Sequence, residues 1–521
     1  MILGDPLLAA PQPTHNENRV TIDQVFRRVA KPRSDVLALA DAPNRESFTD
    51  GAPRRLTYAQ AERTVAAIAG RLRSMGLPTD AIVGIQLPNT VENVLTILGV
   101  LRAGMIAAPL PLLWRRADAV AALARIGAKA LVTCSRVGAY SHCQFAMRAA
   151  AEVFSIRYVC GFGANLPDGV VPFDDLFGAQ TPDRVPPLDR ERQSDAARHI
   201  AAITFETGAG GIVPVARNHW ELLAGGLGVL LEARLEQNAN ILTTLAPSSF
   251  AGISMTLLPW LLSGGTLVLH HPFDADVLAR QQRDDRCRAL ILPGPVAFRL
   301  AETDCFAHEI RATVVAAWRA PERLATSPAW CAPNADLVDV SIFGEAGLVP
   351  ARRADDKARL VPFGPVAVPH GGSDAVPVVE LAPTSAGTLA LRGPMVPHHS
   401  FPPGIERSGF AYFKIEPGGW VDTGYMCRQD AVTKAIPVSG PPAGIVSIGG
   451  YRFPLCDLRD VAGRLDGNAT LAAVSDLLVG ERLVGSADDC ATMQAALDAV
   501  GVNPLVVGAF RAGGRHRAVG T

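Results

Sequence analysis

At 521 residues the chain exceeds what one ordinary hydrophobic core supports, so roughly two to four domains or subdomains are expected. Hydrophobic residues at 48% and charged residues at 19% exclude a disordered chain. A formal net charge of −1 offers no electrostatic case for a nucleic acid or an anionic membrane as partner, and only five of the 49 basic residues are lysines.

In chain order, residues 1–50 read as an irregular arm with one amphipathic helix near Thr21 to Ala30, where Ile22, Val25, Phe26 and Val29 share a face. The arm lacks the basic start and long apolar core of a secretory signal, and a cytoplasmic protein is expected. From Leu56, LTYAQAERTVAAIAGRLRSMG has helical spacing and is closed by Gly76. The apolar strand AIVGIQLP follows, then NTVENVLTILGVLRAG as a helix with an asparagine cap, then strands IAAPLP and AKALVTC. The stretch Leu95 to Leu113 is broken by Arg102, Gly104 and two prolines, so it is read as a buried helix-to-strand passage and not a membrane span.

Alternation continues through helix DADVLARQQRDD and strands ALILPGP and ATVVAAW. Continuous apolar strands alternating with helices argue for a mainly parallel sheet covered on both faces over 51–360. Over 361–440 the texture becomes short β-like segments between Gly and Pro, such as GTLALRGP and GGWVDTG. Gly440-Pro441-Pro442-Ala443-Gly444 punctuates the chain as a linker, leaving 441–521 as a small α/β unit. The nine cysteines show no C-x-x-C pair and no nearby histidine cluster, so neither disulfides nor zinc are expected. The expected class is α/β: a large N-terminal domain of mostly parallel sheets flanked by helices, a small β-rich subdomain, and a small C-terminal α/β domain.

Five collinear segments resemble the AMP-binding family of acyl- and aryl-CoA synthetases, fatty acyl-AMP ligases, adenylation domains and luciferases. They are the region from LTYAQ to IAAPLP, LLSGGTLVLHHPFD, GTLALRGPMV, GGWVDTGYM and IVSIGGYRFP, covering about residues 20 to 511. The resemblance implies a large domain and a small C-terminal domain that rotates between two half-reactions; against that pattern the C-terminal domain here is shortened. First a carboxylate attacks the α-phosphate of ATP to give an acyl-adenylate and pyrophosphate; then CoA or a carrier thiol takes the acyl group. Such chemistry needs a flexible Gly/Ser/Thr loop, a cation and Mg²⁺.

The chain departs from that pattern at the nucleotide motifs. The family's phosphate loop, T-S-G-T-T-G-x-P-K-G, corresponds to FETGAGGIVPVARNH, anchored on His219. The lysine then falls on Val213, and hydroxyl positions fall on Glu206, Gly208 and Ala209. Thr207, Gly208, Gly210 and Gly211 remain, and a structural turn is the reading preferred. Arg217 is a candidate replacement cation, though it comes four residues late.

The Y-G-x-T-E motif reads Phe343-Gly344-Glu345-Ala346-Gly347, so the magnesium carboxylate is lost and Glu345 is one residue out of register. Tyr425 stands where T-G-D has its ribose-binding aspartate. The hinge carries Pro441 and Pro442, which restrain rotation. No lysine follows Lys434, although Arg515 and Arg517 lie near the C-terminus. In place of G-G-A-P stands Trp318-Arg319-Ala320-Pro321, and Trp318 and Arg319 are expected to fill the purine space. For Phe250, core packing and a substrate gate both stay open.

No catalytic residue and no metal ligand is assigned. The degenerate nucleotide-site positions are Thr207, Gly208, Gly210, Gly211, Trp318, Arg319, Phe343, Gly344 and Tyr425. Losing one electrostatic donor in such a site costs about 3 kcal/mol. The resemblance therefore implies a member released from adenylation, with no cofactor expected, acting as a binding or partner subunit for a carboxylic acid, an acyl ligand or another protein. An active acyl- or aryl-CoA ligase using ATP, Mg²⁺ and CoA is the alternative. A purely structural partner of an active paralogue is the third reading.

Overall fold

Two helices near the start are held by reciprocal caps: the Thr21 and Thr57 hydroxyls accept from Gln24 N and Gln60 N, and both glutamine side chains return the bond. These begin helices Ile22–Ala30 and Tyr58–Ser74. Helix Val91–Arg102 departs from the expected asparagine cap. Thr90 is its N-cap and makes no side-chain cap bond. Asp41 Oδ1 accepts from Val91 N at 2.8 Å instead. Asn89 donates to Thr243 O at 3.1 Å and His270 O at 3.4 Å, linking one sheet to the next.

The computed structural model describes residues 20–178, 196–208, 210–306, 311–354, 356–360, 363–370, 373–428 and 438–511. A seven-stranded sheet runs Val170–Pro172, Tyr158–Phe162, Ala130–Cys134, Ile82–Ile85, Ile106–Pro109, Ile200–Gly208, Gly211–Asn218. All its pairs are parallel except the last. An eight-stranded sheet runs Gly347–Arg352, Ala335–Phe343, Ala312–Trp318, Ala289–Pro293, Ile241–Thr243, Leu267–Leu269, Leu37–Ala40, Arg55–Thr57, antiparallel only at its two edges. Every residue of Val91–Arg102 is buried, its charged Glu92 and Arg102 being paired with Arg45 and Asp23. Strand Leu37–Ala40 lies in the segment read as an irregular arm. Its four residues are too few to show a period, and parallel pairing with Leu267–Leu269 makes it a strand.

The β-rich subdomain is a five-stranded antiparallel sheet, Gly364–His370, Ser373–Pro383, Thr388–Arg392, Val421–Cys427 and Val438–Gly440. Beyond the linker, a four-stranded sheet carries helices Leu455–Leu465 and Cys490–Val500 around its own core of Val446, Phe453, Leu471, Leu483, Leu497 and Phe510. All nine cysteines are free thiols. Among the described residues no helix is long and apolar enough to cross a membrane.

Candidate functional site

The segment aligned with the family's phosphate loop, and read as a structural turn, is a tight hairpin. Glu206 pairs with Val213, Thr207 with Ile212 and Gly208 with Gly211, leaving a two-residue turn; Ala209 lies outside the described residues. Gly210 lies against Ala411, where a Cβ would meet the alanine side chain. Val213 points into the core at 7% exposure. Ladder pairing to the tip gives this backbone strand geometry in place of an open anion cradle.

Glu206 is the acid of a compact polar cluster. Its carboxylate accepts from Arg452 Nη1 at 2.6 Å, Glu345 N at 2.6 Å and its neighbour Thr207 N at 3.0 Å. Arg452 also donates to the Tyr425 hydroxyl, which in turn donates to Arg319 O at 3.2 Å. The Tyr425 ring meets Phe343 edge-on at 5.5 Å, and burial pushes its phenol up to about 12. Gly344 turns the chain beside them at φ 56°, where a Cβ would overlap both the Glu206 carboxylate and the Arg452 guanidinium.

Glu345 faces elsewhere. Its buried carboxylate accepts from Thr204 Oγ1 at 2.5 Å and Phe250 N at 3.0 Å, and burial raises its pKa. Arg217 lies 3.6 Å from it, stacked 3.8 Å over the Phe250 ring, and donates to the Glu345 and Ala346 carbonyls. Burial brings the Arg217 guanidinium down to about 10. Arg217 and Glu345 thus neutralise each other inside the core, and Phe250, fully buried, packs between them and Gly225. The two positions where the family carries threonine and the magnesium glutamate are Ala346 and Gly347, without side-chain oxygens. Mg²⁺ requires several oxygen ligands in octahedral array, so these residues do not fit it. Among the described residues no group of three or more His, Cys, Asp or Glu is placed to hold a metal.

Trp318 ends strand Ala312–Trp318 and is buried. Its indole packs on Gly294 and Phe298 and donates to Asp339 at 2.7 Å, a buried carboxylate that Arg353 also holds at 2.6 Å. A buried indole N–H takes the acceptor within reach, and this one draws Trp318 into the outer helix layer. Arg319 turns to the C-terminal domain, donating to Gly450 O at 3.1 Å, and burial lowers its pKa. Neither side chain lines the slot beside Phe343, which Pro321, Leu324, Ser341, Leu381 and Leu389 wall. That slot holds about 30 Å³. Small-molecule clefts run to roughly 300–1,000 Å³.

The residue that sequence reasoning missed is Arg452. It stands inside the quoted segment IVSIGGYRFP, and an acid in a loop where anions are expected was the available hint of a cation elsewhere.

A family model described as AMP-binding enzyme matches residues 36–327. The amide bond synthetase McbA of Marinactinospora thermotolerans superposes with a TM-score of 0.68 at 19% identity, over 92% of this chain and 94% of its own. The anthranilate CoA ligase AuaEII, solved with anthranoyl-AMP, gives 0.63 at 16% identity over 92% and 90%. MatB of Rhodopseudomonas palustris gives 0.60 at 17% over 92% of each chain. At such identities these likenesses speak for the fold alone. The bassianolide nonribosomal cyclodepsipeptide synthetase of Beauveria bassiana is 32% identical over 90 residues, which span 17% of this chain and only 2% of that protein.

Proposed function

The chain belongs to the AMP-binding enzyme family, and within it we infer a member released from ATP-dependent adenylation that serves as a binding or partner subunit. One observation carries this reading: the Glu206 carboxylate, tied to Arg452, sits in the hairpin that takes the place of the phosphate loop. Paired with each other, the two side chains carry no net charge, so they offer a triphosphate no net attraction. The nearby arginine is already neutralised, and the neighbouring carboxylate of Glu345 is committed to Thr204, Phe250 and Arg217. The small slot beside Phe343 supports the same reading.

The rival reading is an active ligase on a carboxylic acid. It draws on the fold shared over 92% of the chain with an amide bond synthetase and an anthranilate CoA ligase. It requires Glu206 and Arg452 to part before ATP binds.

Carboxylate-dependent exchange of pyrophosphate into ATP separates the two. Purified protein is expected to stay at background with fatty and aromatic acids. Exchange clearly above background with any of them discards the first reading. A thermal-shift panel of nucleotides, acyl-CoAs and free acids then identifies the ligand class, since a ligand of the native state raises the melting temperature.

A further inference from the structure

Among the contacts between the C-terminal domain and the rest of the chain is one ion pair. Arg452, from the strand Tyr451–Pro454, reaches back to Glu206 and Tyr425. The side chains of the ion pair are 13% and 19% exposed, so solvent screens it weakly. Two glycines make the approach possible. Gly344 leaves room for the paired charges, and Gly450, at φ 90°, lies on Arg319 where a Cβ would overlap the guanidinium.

Further bonds flank this centre. Arg323 donates to Asp476 O at 2.7 Å, Leu113 N to the Tyr451 hydroxyl at 3.2 Å, and Ala117 N to Gly501 O at 3.0 Å. The linker itself is braced, since Ile445 N donates to Pro442 O and Leu455 N to Gly444 O. Pro441 and Pro442 restrict its torsions further.

We propose that Glu206, Arg452 and Tyr425 form a clasp that holds the C-terminal domain in one orientation, with an internal acid taking the place of an anionic ligand at the joint. Glu206 supplies the negative charge, Arg452 is the reaching cation, and Tyr425 orients it while tying the β-rich subdomain through Arg319 O. The clasp stands on geometry and not on the catalytic reading: a rigid joint with active exchange, or a loose joint without it, would separate the two.

Two native thiols report on it. Cys331 on the main domain and Cys456 on the C-terminal domain are exposed, and Cys490 is half-buried. In full-length protein carrying Cys490→Ser, nitroxide labels on Cys331 and Cys456 are expected to give a single narrow distance distribution by pulsed electron resonance. Glu206→Gln, which removes the charge and keeps the shape, is expected to broaden that distribution or add a second distance. Gly344→Ala is expected to do the same by displacing the pair without changing any charge. A broad or two-peaked distribution before any clasp mutation overturns the proposal. So does an unaltered narrow peak in both folded variants, with folding checked by a cooperative melt.

Discussion

Arg452 Nη1 lies 2.6 Å from Glu206 Oε1 across 246 residues of sequence, joining a strand of the last domain to the hairpin of the first. Burial works against the Arg452 charge, yet Glu206 and Tyr425 more than offset it and leave the guanidinium pKa raised. Arg452 therefore stays charged across ordinary pH.

Removing one member leaves the other poorly solvated. Glu206→Gln or Arg452→Gln alone is expected to destabilise the protein by roughly 3 kcal/mol, because breaking a buried pair strands a charge. The double variant should lose less than the sum of the two, with a coupling of about 1–2 kcal/mol in urea unfolding. Strictly additive losses would mean that the two side chains do not depend on each other.

Val213→Lys is expected to restore no pyrophosphate exchange. Val213 is 7% exposed on a strand of the hairpin, opposite Glu206. An ammonium there is placed in the core and not at the turn, so the visible effect should be a lower melting temperature. Recovery of exchange by this single change would show that the hairpin opens into a phosphate loop.

His142 sets a pH signature. It is 1% exposed, and burial, assisted by nearby Arg115, lowers its pKa from 6.5 to about 3. The unfolded chain protonates it below 6.5 while the folded chain stays neutral down to about 3. Its contribution is thus present above 6.5 and lost as pH falls through that window, at up to about 1.4 kcal/mol per pH unit. His142→Gln should flatten the melting temperature between pH 6.5 and 4.5. An unchanged slope would mean that the imidazole reaches solvent.

Truncation after Gly440 should leave a soluble main domain with a cooperative melt. Of the residues beyond the linker, only the half-buried Tyr451 packs against a core cluster of the main domain, and the C-terminal domain has its own core. The truncate should melt slightly lower, since Glu206 loses Arg452. Aggregation would show that the joint covers apolar surface the main domain needs hidden.

Much of the fold is legible along the chain because its signals are local. Helical spacing marked Tyr58–Ser74 and Val91–Arg102, and continuous apolar runs marked Ala130–Cys134 and Ala312–Trp318. Strand Leu37–Ala40 was not legible, since only its partner Leu267–Leu269 orders it. At the site, the identities of Glu206, Ala346, Gly347 and Tyr425 carried the expectation of a departure from the family motifs. The destinations of Trp318 and Arg217 did not follow from sequence, because Trp318 bonds to Asp339 on the next strand and Arg217 to carbonyls of the turn at Glu345 and Ala346.

By itself, the sequence determined the α/β class, most helices and strands of the large domain, and the small β-rich subdomain. Local propensity and short-range pattern decide all three. Only the tertiary structure decided that Glu206 meets Arg452, that Glu345 turns to Arg217, and that Trp318 bonds Asp339. A charge or indole taken out of water costs several kcal/mol unless it finds a partner. The fold supplies those partners across distances that no local window of sequence contains.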